Sequence, residues 1–198
     1  FLVEKGTPGF PPQPIHEKIG LKAQNTGEIN MDNVRVHKDT ILGPVGRGFA
    51  VAMSALDNAR FTVAAGCVGT AQAALDIAKE YARERVQFGK PIATKQLVQQ
   101  LIANAALEIE MGRLLVYRAG FLKNKDVRNT RETCMAKYFC GEMVNRVTYD
   151  MMQVLGGYSF SGEYPLERMY RDSRINTLYE GTSQIQQLII GNAELEMP

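Results

Sequence analysis

From Gly48 onward the apolar residues recur at helical spacing, and before Gly48 they do not. Phe49 to about Val86 carries Ala64, Ala65, Gly66, Gly69, Ala71, Ala73 and Ala74, small residues that let a helix pack closely on its neighbours. A second helix is predicted from about Thr94 to Lys123, with Leu97, Leu101, Met111, Leu114 and Leu115 at helical spacing. The polar link Asn124–Arg128 is short, as expected between antiparallel helices. A third helix is predicted to begin after Asn129, with Glu132 three positions on at capping-box spacing, and to end near Gly156-Gly157. A last short helix should start at Thr182 or Ser183 and run through Ile185, Leu188 and Ile189.

The first 45 residues follow a different rule. Phe1-Leu2-Val3-Glu4-Lys5 starts like a strand, and Gly6-Thr7-Pro8-Gly9 and Pro11-Pro12 punctuate it. Glu28 to Val36 alternates polar and apolar residues like a half-buried strand. These pieces are too short to close a sheet, and an opening Phe inside a strand-like run reads as a chain cut within a sheet or as one trimmed of a disordered segment. The expected fold class is therefore mainly α: an antiparallel bundle of long helices (46–198) preceded by a short, incomplete β remnant (1–45).

Composition narrows the function classes. A net charge of +2 with basic and acidic residues interspersed offers no electrostatic footprint for nucleic acid. No uninterrupted apolar run approaches the length of a membrane span, and no signal peptide opens the sequence. Cys67, Cys134 and Cys140 form no C-x-x-C pair, and His16 and His37 have no partners at metal-ligand spacing. No metal site is expected. The cysteines read as reduced, buried small hydrophobes, which suits a reducing compartment such as the cytoplasm or a mitochondrial matrix.

Three stretches could carry chemistry, and each has a plainer reading. Glu84 to Ile92 fits a helix stop with Gly89 at the C-cap and Pro91 beyond it; it also fits Arg85 facing a phosphate and Phe88 stacking on a planar ring. Gln153-Val154-Leu155-Gly156-Gly157 fits a C-cap, or a cradle where a cofactor approaches bare backbone N–H groups. There is no G-x-G-x-x-G and no P-loop. In Tyr179-Glu180-Gly181-Thr182-Ser183-Gln184, Glu180 fits a carboxylate placed at a helix start, or a general base.

Taken together with Leu56-Asp57-Asn58-Ala59-Arg60, Gly156-Gly157-Tyr158 and Glu163-Tyr164-Pro165-Leu166-Glu167-Arg168, these stretches resemble, in order and spacing, the C-terminal part of the acyl-CoA dehydrogenase family. The likeness covers essentially the whole chain. It implies the end of a middle β domain over 1–45 and the C-terminal helical domain over 46–198, with FAD between the two kinds of domain. It implies α,β-dehydrogenation of acyl-CoA thioesters to 2-enoyl-CoA, the chemistry of fatty acid β-oxidation, with electron-transferring flavoprotein as partner and a homotetramer built as two dimers.

Residue by residue, the resemblance makes Glu180 the base that removes the α-proton while the β-hydrogen leaves as hydride. It makes the Glu180 backbone N–H and a flavin ribityl hydroxyl the donors to the thioester oxygen. Arg85, Gln87 and Phe88 match contacts to the FAD of a neighbouring subunit, with Gln153 and Gly157 at the same diphosphate region. Thr182 and Gln184 match contacts to the FAD held with Glu180. Asp57, Arg60, Tyr179 and Gly181 fall on the substrate side, although Asp57 and Arg60 equally fit a local helix-face pair. Some family members place the base at the position matched by Ala59, where alanine cannot serve. Glutamate at 180 also departs from the nitroalkane-oxidising branch, which uses aspartate. The family's N-terminal segments, which wall the flavin ring and much of the acyl pocket, lie outside the likeness. This leaves two other readings: a non-catalytic helical oligomerisation fragment, or an acyl-CoA oxidase.

Overall fold

A computed structural model describes residues 1–197. Its contacts separate the chain into two compact units, 1–56 and 57–198.

In the first unit, regular structure is sparse. A two-residue strand β1 (Gln13–Pro14) pairs antiparallel with β2 (Gly27–Glu28). The strand expected over 28–36 stops at Glu28, and beyond it the Asp32-Asn33 pair turns the chain, with Asn33 at φ +49. Phe1–Lys5 forms no strand either; there the Leu2 N–H donates to the Thr40 carbonyl at 2.7 Å, a single tie rather than a ladder.

The second unit is a helical bundle. Helix α1 (Gly48–Glu84) begins in the first unit and runs on into the second. A small hairpin follows, β3 (Val86–Gln87) against β4 (Lys90–Pro91). After it come α2 (Gln96–Asn124), α3 (Thr130–Leu155), α4 (Leu166–Ser173) and α5 (Ser183–Glu194). Gly89 is thus not a helix C-cap. It is the second of two left-handed residues at the hairpin tip, Phe88 at φ +54 and Gly89 at φ +75, the backbone signs of a type I′ turn.

The antiparallel order is visible in the contacts. Phe61 lies against Gly120 and Gln72 bonds Arg113, so α1 and α2 run oppositely. Arg118 pairs with Glu132, Gly112 meets Cys140, and Glu108 takes Arg146, so α2 and α3 do too. Helix α3 is the most enclosed, burying Cys134, Ala136, Cys140, Met143, Val144, Val147 and Met151. At Gly112 three helices meet: an added Cβ would lie 3.2 Å from Cys140 Sγ and 3.4 Å from a Val68 methyl.

Several expected details differ. In α1 the packing stripe is Ala64, Cys67, Ala71, Ala74, Ala78 and Ala82, whereas Ala65, Gly66 and Gly69 face outward. By length and composition α1 would also pass as a membrane span, with mean hydropathy 1.3, though its apolar stripe here belongs to the bundle core. In α2 the apolar positions divide between two faces. Ala105, Ile109, Val116 and Ala119 are buried, while Leu97, Leu107, Met111, Leu114 and Phe121 form a second, exposed stripe. Asn129 does sit at the N-cap of α3, but its side chain makes no cap bond and instead accepts from the Thr133 hydroxyl. Glu132 does not close a capping box, because Arg131 and Arg118 hold it.

All three cysteines are free and buried. Burial pushes the thiols of Cys67 and Cys140 up to about 12 and that of Cys134 to about 11. Almost no thiolate therefore forms at pH 8, and the native protein should resist iodoacetamide while the unfolded chain reacts at three sites; mass spectrometry counts the adducts. Gly141→Ala should lower stability by about 1–3 kcal/mol in urea denaturation, since its Cβ would stand 2.7 Å from the Asn176 carbonyl oxygen.

Candidate active site

Between α4 and α5 the chain makes a 3-10 turn, Arg174–Thr177, and then a reversal at Glu180-Gly181. Both residues of the reversal are left-handed, Glu180 at φ +54 and Gly181 at φ +88. For glutamate that conformation costs about 1 kcal/mol, so its surroundings must hold it.

They do so through the two carbonyls. Arg60 Nε donates to the Glu180 oxygen at 3.2 Å, and Gln186 Nε2 donates to both the Glu180 and Gly181 oxygens at 3.1 Å. Lys137 Nζ donates to the Gly181 oxygen at 2.6 Å. The donors come from α1, α5 and α3. Arg60 is 5% exposed, and its charge is answered by Asp57 at 3.0 Å; Asp57 in turn accepts from the Thr130 hydroxyl. The side-chain oxygen Oε2 of Glu180 is buried and has no hydrogen-bond partner among the described residues. A buried carboxylate oxygen left unpaired is unusual in a folded protein, and Gln186 Oε1 beside the same reversal is also buried without a partner among the described residues.

Flanking residues fix the rest of the turn. The Tyr179 hydroxyl donates to Asn176 Oδ1 at 3.0 Å, and burial raises the phenol above its ordinary range. Thr182 is the N-cap of α5, its hydroxyl oxygen accepting from the Ile185 N–H, and Gln184 is exposed one residue into the helix. A Cβ on Gly181 would lie 2.6 Å from the Gln186 amide nitrogen, which is why glycine alone suits this point.

A second feature forms where α1 and α3 end. Tyr81, Arg85, Gln87, Gln153, Gly157 and Tyr158 line an open cleft of about 660 Å³. The Arg85 guanidinium lies 5.2 Å from the centroid of the Tyr158 ring, and Tyr81, Tyr158 and Tyr164 pack as an aromatic trio. Ideal Cβ positions on Gly156 and Gly157 meet nothing within 4 Å, so the backbone there is open to approach. Phe88 stands apart at the hairpin tip, 93% exposed.

A family model for the acyl-CoA dehydrogenase C-terminal domain matches residues 46–195. The chain belongs to the acyl-CoA dehydrogenase family. It is 42% identical over 190 residues to the mitochondrial short-chain specific acyl-CoA dehydrogenase of Bos taurus, covering 96% of this chain and 46% of that one. Its structure is similar to butyryl-CoA dehydrogenase from Megasphaera elsdenii, with TM-score 0.94, 39% identity, and 98% of this chain against 50% of that one. It is also similar to PigA with FAD and proline, with TM-score 0.95, 29% identity, and 100% of this chain against 51% of that one. The chain spans about half the length of the relatives it matches.

Within this acyl-CoA dehydrogenase fold, the expected site residues fall into two groups. Arg60, Tyr179, Glu180, Gly181 and Thr182 gather at the reversal, with Asp57 behind Arg60. Arg85, Gln87, Gln153 and Gly157 gather at the cleft, whose lining includes none of the reversal residues. Asp57 and Arg60 do form the local helix-face pair, and Arg60 spends a further donor on the Glu180 carbonyl. Sequence reading missed Lys137, Gln186 and the cleft role of Tyr158. A trace of Lys137 was available: a lone cation amid Thr133, Cys134, Ala136, Cys140 and Gly141 on one helix. Gln186, flanked by the more apolar-looking Ile185 and Leu188, gave no such sign; yet it is the one fully buried, and they are exposed.

Gly181→Ala should cost about 1–3 kcal/mol of stability by thermal or urea unfolding, combining left-handed strain with displacement of the Gln186 amide. An unchanged midpoint would show that the reversal is not held as described.

Proposed function

We propose that this chain is the C-terminal part of an FAD-dependent acyl-CoA dehydrogenase in which Glu180 abstracts the α-proton of the thioester. The observation that carries this reading is the buried, unpartnered Glu180 oxygen on a backbone reversal held from three helices. An α-proton beside a thioester is weakly acidic, so its base works best dry, preoriented and without a competing hydrogen-bond donor. The Glu180 carbonyl is fully engaged by Arg60 and Gln186, which fixes the peptide plane from which the side chain departs. The enolate charge that develops on the thioester oxygen needs a donor, and the backbone N–H of Glu180 is the one this chain contributes by family resemblance.

The cleft fits the diphosphate of a dinucleotide. Arg85 brings a cation that forms no ion pair with the Glu163 that also lines the cleft, its guanidinium lying instead over Tyr158; the glycine pair leaves backbone open, and Gln87 and Gln153 add amides. Phe88 offers an aromatic face fit to stack on an adenine. Bound flavin would supply the acceptor for the β-hydride. By the family resemblance we assign the cleft, whose lining shares no residue with the reversal, to the FAD of a neighbouring subunit, with Thr182 and Gln184 beside the FAD held with Glu180. The exposed apolar stripe on α2 is suited to burial in such a homo-oligomer, a dimer of dimers in the family pattern. In this reading residues 1–45 end a β domain, the electron acceptor is an electron-transferring flavoprotein, and the compartment is the cytoplasm or a mitochondrial matrix. Two relatives act on short chains by name, so butyryl-CoA is the first substrate to assay.

The full-length protein containing this chain should show flavin absorbance that bleaches with butyryl-CoA under anaerobic conditions. Glu180→Gln should abolish the bleaching while flavin stays bound, and undiminished bleaching would remove Glu180 as the base. Arg85→Met should weaken FAD retention about tenfold or more, read by flavin release on dilution.

A further inference from the structure

One face of α3 holds the whole segment that leads to the reversal. Asn145 Nδ2 donates to the Ser173 carbonyl at 3.0 Å, Gly141 lets the Asn176 carbonyl come against the helix, and Lys137 Nζ donates to the Gly181 carbonyl at 2.6 Å. These residues lie four apart, so they form one stripe along the helix, and the segment 173–181 runs down it in the opposite direction. Glu142, one residue beside the stripe, accepts from the Ser183 hydroxyl at 2.6 Å where α5 begins. Lys137 is the rung nearest Glu180.

The choice of residue at this rung is not explained by packing. Lys137 is 0% exposed, on a helix whose buried residues near it in sequence are Thr133, Cys134, Ala136, Cys140 and Gly141. Holding an ammonium there is costly, and burial pushes its pKa down, opposed by Cys67, with the nearby Arg60 charge adding to the fall and Glu180 and Glu142 opposing it. A methionine would fill the same volume without that penalty. The fold itself does not require the lysine to satisfy Gly181, whose carbonyl also accepts from Gln186. What the lysine alone adds is a short charged bond that draws the Gly181 carbonyl inward, and with it the left-handed pair 180–181.

We propose that Lys137 is a positioning residue for Glu180: its bond to the Gly181 carbonyl keeps the reversal in the conformation that presents the carboxylate for proton abstraction. The inference rests on Glu180 being the base. A flexible reversal would populate right-handed or extended backbone at residue 180, which strains glutamate less and swings its side chain elsewhere. Rigidity at 180–181 is therefore obtained by carrying a buried charge, and stability and rate should respond to its removal in opposite senses.

The test uses the full-length protein as FAD holoenzyme, with Lys137→Met compared to wild type. The melting temperature is expected to hold or rise. The rate of flavin bleaching at saturating butyryl-CoA is expected to fall at least tenfold, with KM within threefold. In the FAD-free protein, amide hydrogen exchange of residues 176–186 should accelerate at least tenfold while α2 is unchanged. A lysine with a merely structural role gives the reverse: a lowered melting temperature with the folded fraction bleaching at the wild-type rate, and that result overturns the proposal. Should Lys137→Met not accumulate folded, Lys137→Gln is read in the same way, and loss of folded protein in both also overturns it. If Glu180→Gln still bleaches, the base assignment fails by itself, whereas the exchange measurement reports separately whether Lys137 holds the turn.

Discussion

Close approach to α3 is the constraint on which the bundle depends. A helix enclosed by α2, α4 and α5 leaves little room for large side chains at every contact, and this one meets its neighbours through Ala136, Cys134, Cys140 and Gly141, with Gly112 opposite. At Gly141 the approach is so near that a backbone carbonyl occupies the place of a Cβ. The same closeness lets a lysine on α3 reach the main chain of the last loop directly. Packing and placement of the candidate base are thus one arrangement: widening the contact at Gly141 would also lift the Glu180-Gly181 reversal away from Lys137 on α3.

Much of this architecture was legible in the order of residues. Long 3.6-residue periodicity after Gly48 gave the three long helices within two residues of their ends, because a pattern repeated over many turns averages out local exceptions, whereas the short α5 runs to Glu194, beyond the Ile189 that its pattern reached. The start of α5 was left open between Thr182 and Ser183, and the structure makes Thr182 the cap, its hydroxyl oxygen accepting from the Ile185 N–H three residues on. Short-range signals fared worse where long-range partners intervened. Glu132 left its capping box for Arg131 and Arg118, the latter from another helix, and the alternating run after Glu28 found no neighbouring strand. Helix α4 went unnoticed between two stretches read for their motifs.

The candidate site was legible as a set of residues and illegible as a mechanism of support. Resemblance pointed to Glu180, yet nothing local to it announces that Arg60, Lys137 and Gln186 converge on two adjacent carbonyls from 120, 44 and as few as 5 residues away. Such convergence is a property of topology. The apolar positions of α2 show the same limit: helical spacing identified them, but which of two apolar faces meets the core depended on where α1 and α3 lie.

The left-handed backbone at Glu180 has a bearing on how this family could change its chemistry. Among residues with a side chain, aspartate and asparagine occupy that region more readily than glutamate. A shift from glutamate to aspartate at 180 would relax the turn rather than strain it, and would alter only the reach of the acid by one methylene. The scaffold around 180 therefore raises no folding barrier to such a change, and selection on the length of the acid must come from the molecule whose proton it has to reach.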